Sequence, residues 1–203
     1  MLLEHNGHRP AIDPSAYVAP TATLCGDVRV GPDARILFGA VLTAEGGPVQ
    51  VGAGAIVMEN AVLRGTRRDP LLLGRHVLVG PLAYLTGCTV EDDAFLATGS
   101  RVFNGARIGA RAEVRINAVV HLRTVVPPDA TVPIGWVAVG DPAGLFPPGG
   151  HEGIWRVQKE LDFPGYVFGL PRPAEGESIM PEVSRRYGRA LGRHRDDRVS
   201  GDE

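Results

Sequence analysis

The chain has 203 residues, room for one large domain or one domain with an appendage. With 22% charged and 44% hydrophobic residues it has the composition of an ordinary folded protein, and a net charge of -2 gives no general pull toward nucleic acid or an anionic membrane. Two cysteines and no CxxC exclude a disulfide framework and a common zinc knuckle, so a reducing, cytoplasmic setting fits best.

The opening stretch, MLLEHNGHRPAID, lacks an apolar core and a cleavage site, so no signal peptide is expected. No apolar run approaches the ~18 residues of a membrane span. From Ile12 onward the dominant signal is a beat of six: Ile12, Val18, Leu24, Val30, Ile36 and Leu42. The beat resumes at Val51, Val57 and Leu63, and again at Leu73, Val79 and Leu85. It slips by one residue to Val90, then runs through Leu96, Val102, Ile108, Val114, Val120, Val126 and Val132. Four residues after most beats stands a small or β-branched residue, such as Ala22, Ala40, Ala61, Ala83 or Ala118.

Six fits neither the 3.6 period of a helix nor the alternation of a strand. It fits a prism with one flat face and one corner per hexad. Three hexads make a coil of about 18 residues, stacked on the next at about 4.8 Å, with the beats pointing inward and the small residues at the corners. The predicted domain runs over residues 1–145. Two insertions break it, 43–50 (TAEGGPVQ) and 64–72 (RGTRRDPLL). Each reads as an outer loop, either on a functional face or as a tolerated bulge.

After Val132 the pattern fails, and Gly140-Asp141-Pro142-Ala143 reads as the exit from the prism. A second region, 146–203, follows. HEGIWRVQKELDF is a short amphipathic segment, FPGYVFGLPRP reads as extended because of its prolines, and 181–197 reads as a helix with Pro181 in its first turn. That helix packs on the prism through Val183, Tyr187 and Leu191. Its arginines form a solvated face or a docking element.

Hexads such as VGPDAR, IGARAE and VPPDAT resemble the hexapeptide-repeat, left-handed parallel β-helix superfamily. Within it, GAVLTAEGGPVQVGAGAIVMENAVLRG and VLVGPLAYLTGCTVEDDAFLATGSRVFNGARIG resemble the γ-class carbonic anhydrases over roughly residues 10–145. The resemblance implies an all-β fold, a left-handed parallel β-helix with a C-terminal α-helix, and a homotrimer. It also implies three zinc histidines at the subunit interface, in a V-L-H and a V-G-H-x-A-x-L-H-G segment. Here those positions are Arg64, Pro81 and Thr86. Proline has no side-chain donor and arginine is a fixed cation, so no zinc is expected there, and the route to metal-bound hydroxide is closed. The family's R-G-D falls on Thr43, Ala44 and Glu45, and its active-site glutamine on Met58.

The prism places Arg64, Thr86, Phe103 and His121 in one column. Arg64, Arg67, Arg68 and Glu45 are then expected to line a cleft between subunits. The sharp reading is a metal-free site for a small carboxylate or other anion, with Thr86 and Tyr84 as further donors, Met58 and Phe103 at its edge and His121 as a general base. The bland reading is an intersubunit salt bridge from Arg64 to Glu45 or Glu59, with His121 packing on the wall. His76 is a weaker candidate base, and Cys88 reads as a structural turn residue. Two further functions stay open. One is acyl transfer or thioester chemistry with coenzyme A, because the exit resembles G-x-P-A-K with Gly144 for the lysine, although neither insertion carries a histidine. The other is a non-catalytic trimeric scaffold or assembly subunit.

Overall fold

The computed structural model describes residues 1–199. The hexads form a left-handed parallel β-helix of three flat faces, one ten-stranded and two seven-stranded. On the ten-stranded face the beats pair directly: Leu24 with Leu42, Leu42 with Leu63, Leu63 with Leu85, Leu85 with Val102 and Val102 with Val120. Stacking like on like leaves no room for water, and all of these side chains are fully buried. The corner alanines Ala22, Ala40, Ala61, Ala83 and Ala118 are buried as well, because a larger side chain would meet the opposite walls. The slip between Leu85 and Val90 is absorbed at the Gly87 corner, and Val90 rejoins the column beside Leu73.

The two insertions stack on one another. Val41–Glu45 and Val62–Thr66 are lengthened to five residues and pair through Gly65–Ala44 and Thr66–Glu45. The prism ends at Val137–Val139, which an antiparallel strand, Gly144–Phe146, covers after the 140–143 turn.

The remaining chain runs back along the outside of the ten-stranded face. It contains α1 (His151–Gln158), a 3-10 turn (Lys159–Leu161), a π-helical turn (Pro164–Phe168), α2 (Met180–Leu191), a second 3-10 turn (Gly192–Asp196) and the strand Arg198–Val199. That last strand pairs antiparallel with Leu2–Glu4, so the extension spans the face from its last coil to its first.

Two sequence expectations change here. The segment 164–168 is a helical turn, not extended: Phe163 is α-helical despite preceding a proline, and the left-handed Gly169 closes the turn. The basic helix stops at Leu191 instead of running to residue 197 and tightens into the 3-10 turn. Of its three expected anchors only Val183 is buried. No helix among the described residues is long and apolar enough to cross a membrane.

Candidate functional site

Strand register builds the site. Arg64 stands on Val62–Thr66 directly beside Thr86 on one side and Thr43 on the other. Phe103 and His121 continue the line one coil at a time. The ring of Phe103 lies 6.2 Å from Tyr84 and 6.5 Å from His121. Arg64, Tyr84, Thr86 and Phe103 thus form a floor.

The second insertion supplies one side of the site. Thr66, Arg67, Arg68 and Asp69 rise beside Asn104. The C-terminal extension supplies the roof: Phe163, Tyr166, Val167 and Phe168 from around the π-helical turn, and Tyr187 from α2. The cavity, partly open to solvent, is about 290 Å³. A second cavity of about 240 Å³ lies on the other side of Arg64, lined by Glu45, Thr66, Arg67, Arg186, Tyr187, Ala190 and Leu191. Arg64 and Arg67 line both cavities, Arg68 the first and Glu45 the second.

Tyr166 locks the roof to the side wall. Its hydroxyl donates to Asp69 Oδ1 at 2.8 Å. The Arg68 guanidinium stacks on the ring at 4.0 Å from the centroid, and Arg123 approaches it at 5.6 Å. Burial, then the Asp69 carboxylate, pushes the phenol up to about 12, so it stays protonated at neutral pH. Gly105, in the left-handed region at φ +71°, lets Tyr166 come this close. A Cβ there would stand 2.4 Å from the hydroxyl.

The charges do not balance. Arg64, Arg67 and Arg68 line the main cavity against the single carboxylate of Asp69. Glu45 approaches Arg64 only to 3.7 Å, while His194 Nε2 holds the same carboxylate oxygen at 3.0 Å. Within the chain, Arg64 and Glu45 thus form only a loose pair. Glu59, its alternative partner, lies on another corner beside Leu82. Among the described residues Arg67 makes no ion pair or side-chain hydrogen bond. A planar guanidinium fork with unfilled donors suits a carboxylate or similar oxyanion.

Other candidates fall outside the cavity. His121 lies beyond Phe103, its Nε2 3.0 Å from the Gln158 side-chain nitrogen. Burial pushes its pKa down. Met58 and Pro81 stand on the corner that carries the exposed Phe38 and Leu82, away from the arginines. His76 is an exposed corner residue paired with Asp93 at 3.1 Å. Cys88 is buried, and burial pushes its thiol up to about 12.

Sequence reasoning missed Asp69, Asn104 and the whole aromatic roof. One signal was available: three aromatics, Phe163, Tyr166 and Phe168, crowd into six residues of a chain that is 6% aromatic.

Comparison with known proteins supports the repeat reading. No family model matches the chain. Over 140 residues it is 33% identical to the mitochondrial γ carbonic anhydrase 2 of Arabidopsis thaliana, covering 66% of this chain and 48% of that protein. Over 109 residues it is 29% identical to a carbonic anhydrase of Geobacillus kaustophilus, covering 54% and 60%. The chain thus spans about half the length of the curated relatives it matches. Among solved structures it is similar to a candidate acetyltransferase from Bacillus cereus, at a TM-score of 0.53 and 27% identity over 77% of this chain and 88% of that one.

Proposed function

The chain is a γ-carbonic-anhydrase-like member of the hexapeptide-repeat family, and on that premise we propose that it binds a small carboxylate or similar oxyanion without metal at the family's zinc position. One observation carries the reading: three arginines line a cavity partly roofed by aromatic side chains, with one carboxylate among its lining residues. Arg64, Pro81 and Thr86 do not make a zinc ligand set, since only the threonine has a lone pair to offer. No step of a reaction is therefore routed through a metal there.

Among the lining residues Asp69 is the single carboxylate, none is a histidine, and Tyr166 holds that carboxylate. This favours binding over turnover. Arg64 and Arg67 would grip the anion, Thr86 and Tyr84 would add hydroxyl donors, and Phe103 and Phe163 would exclude water. Glu45, through Arg64, would set the fork's angle. We assign the working unit to a homotrimer, which the apolar corner bearing Met58 and Pro81 supports.

The test is calorimetric titration of the full chain with a panel of small mono- and dicarboxylates, bicarbonate and phosphate. At a hundred times Kd, a true ligand should raise stability by ~2.7 kcal/mol. Arg64→Ala and Arg67→Ala should each weaken binding at least about tenfold, as loss of a hydrogen bond to a charged group implies. Brisk CO₂ hydration, or zinc held between Arg64 and Thr86, would overturn the reading. Acyl transfer with coenzyme A is a second reading, favoured by the likeness to the candidate acetyltransferase. Against it, no histidine lines the cavity. Titration with coenzyme A decides it.

A further inference from the structure

Four side chains far apart in sequence meet at the first coils of the ten-stranded face. His5 follows the strand Leu2–Glu4, and Cys25 ends Thr23–Cys25. His194 lies in the 3-10 turn Gly192–Asp196, and Asp197 follows it. Two imidazole nitrogens, a thiol sulfur and a carboxylate oxygen all lie within 4.8 Å of one another. Asp197 is at the centre. Its Oδ1 is 2.5 Å from His5 Nδ1, and its Oδ2 is 2.8 Å from His194 Nδ1 and 3.5 Å from Cys25 Sγ. The two imidazoles stack with centroids 4.3 Å apart and 20° between planes, both turning Nδ1 to the same carboxylate. His5 and Cys25 are buried, at 5% and 3% exposure.

The donor set has a chemistry of its own. Two neutral imidazoles, a thiolate and a carboxylate are the ligands of a borderline-soft divalent ion. Metal–donor bonds of about 2.0–2.3 Å in a tetrahedron require donors about 3.3–3.8 Å apart. The spacings here bracket that range, so small side-chain shifts would admit an ion, with the thiol giving up its proton. The outer partner is also in place. His194 Nε2 faces Glu45 Oε1 at 3.0 Å, and a carboxylate on that nitrogen would orient the ring once Nδ1, now on Asp197, turned to a metal.

We propose that His5, Cys25, His194 and Asp197 form a structural site for a divalent transition ion, zinc by donor type, which fastens the C-terminal extension to the first coils. Four protein donors leave no open coordination position, so the ion holds the fold and takes no substrate. The site is separate from Arg64, Pro81 and Thr86, and it does not rest on the anion reading. Glu45 is a positioning residue here, oriented toward His194 on one side and Arg64 on the other.

The test uses the full chain. Elemental analysis of protein purified without chelator should give one zinc per chain. After chelator treatment, cobalt(II) titration should saturate at one ion per chain with a near-ultraviolet thiolate-to-cobalt charge-transfer band and intense visible bands. Cys25→Ser should abolish the charge-transfer band. Glu45→Gln should lower affinity roughly 10–100-fold while keeping that band, as loss of an outer-shell carboxylate does. His194→Ala, at a half-exposed site, keeps the test open if the Cys25 variant does not fold, and should weaken cobalt binding at least tenfold. Arg64→Ala should keep the metal, which separates this site from the anion cavity. A full chain that binds neither ion stoichiometrically, or a cobalt spectrum unchanged by Cys25→Ser, overturns the proposal and leaves a hydrogen-bonded latch.

Discussion

His121 sits half-buried in the wall. Burial pushes its pKa below the ordinary value, and its Nε2 accepts from the Gln158 amide. The sign of the consequence follows. In the unfolded chain this histidine binds a proton near pH 6.5, while the folded chain resists it to lower pH. Stability from this group is therefore fully present above about pH 6.5 and is lost as pH falls toward the folded value. His121→Phe should flatten that loss. Urea unfolding at pH 7, 6 and 5 checks it: equal pH slopes for parent and variant would exclude the effect. At this scale the sequence speaks through side-chain chemistry: arginine and proline carry no lone pair for a metal, which is why no zinc is expected at Arg64 and Pro81. It was silent on Gln158, because a partner 37 residues away is chosen by packing.

The elements that matter most for function are an inserted loop and a covering segment. The rise at 64–72 carries Thr66, Arg67, Arg68 and Asp69, and the π-helical turn Pro164–Phe168 drops Tyr166 onto them. Gly105 is the hinge of that contact. Gly105→Ala places a methyl against the Tyr166 hydroxyl and strains a left-handed residue, so it should cost about 1–2 kcal/mol and loosen the cover. Limited proteolysis should then cut within residues 160–175 faster than in the parent, with the prism intact. A cleavage rate equal to the parent's would show that the cover is held elsewhere. The prism itself was legible residue by residue, down to the one-residue slip at Val90, because a six-residue beat has a single way to bury its aliphatics. The cover was not. Its prolines argue for extended chain by local rules, whereas the helical turn is closed by its own backbone hydrogen bonds and held to the wall by Tyr166 on Asp69 and Arg68.

Across the whole molecule, the three outer faces are used differently. The C-terminal extension covers the ten-stranded one. A seven-stranded face carries exposed Tyr17 and Phe95, and the corner beside it exposes Phe38, Leu82, Ile116 and Ile134, some of them more than half open to solvent. So many exposed apolar side chains along one corner suit an interface. Changing Phe38 and Ile116 together to glutamate should convert the proposed trimer to monomers in light scattering without unfolding the prism, and a retained trimer would place the interface elsewhere. The sequence by itself determined the prism, its columns and its likeness to the γ-class carbonic anhydrases. Those follow from periodicity and side-chain type, which are local properties. Only the tertiary structure decided that the extension doubles back to the first coil, roofing the arginines with Tyr166 and bringing His194 and Asp197 to His5 and Cys25. That juxtaposition is set by which buried partners a flexible segment can satisfy at once, and no short window of sequence contains it.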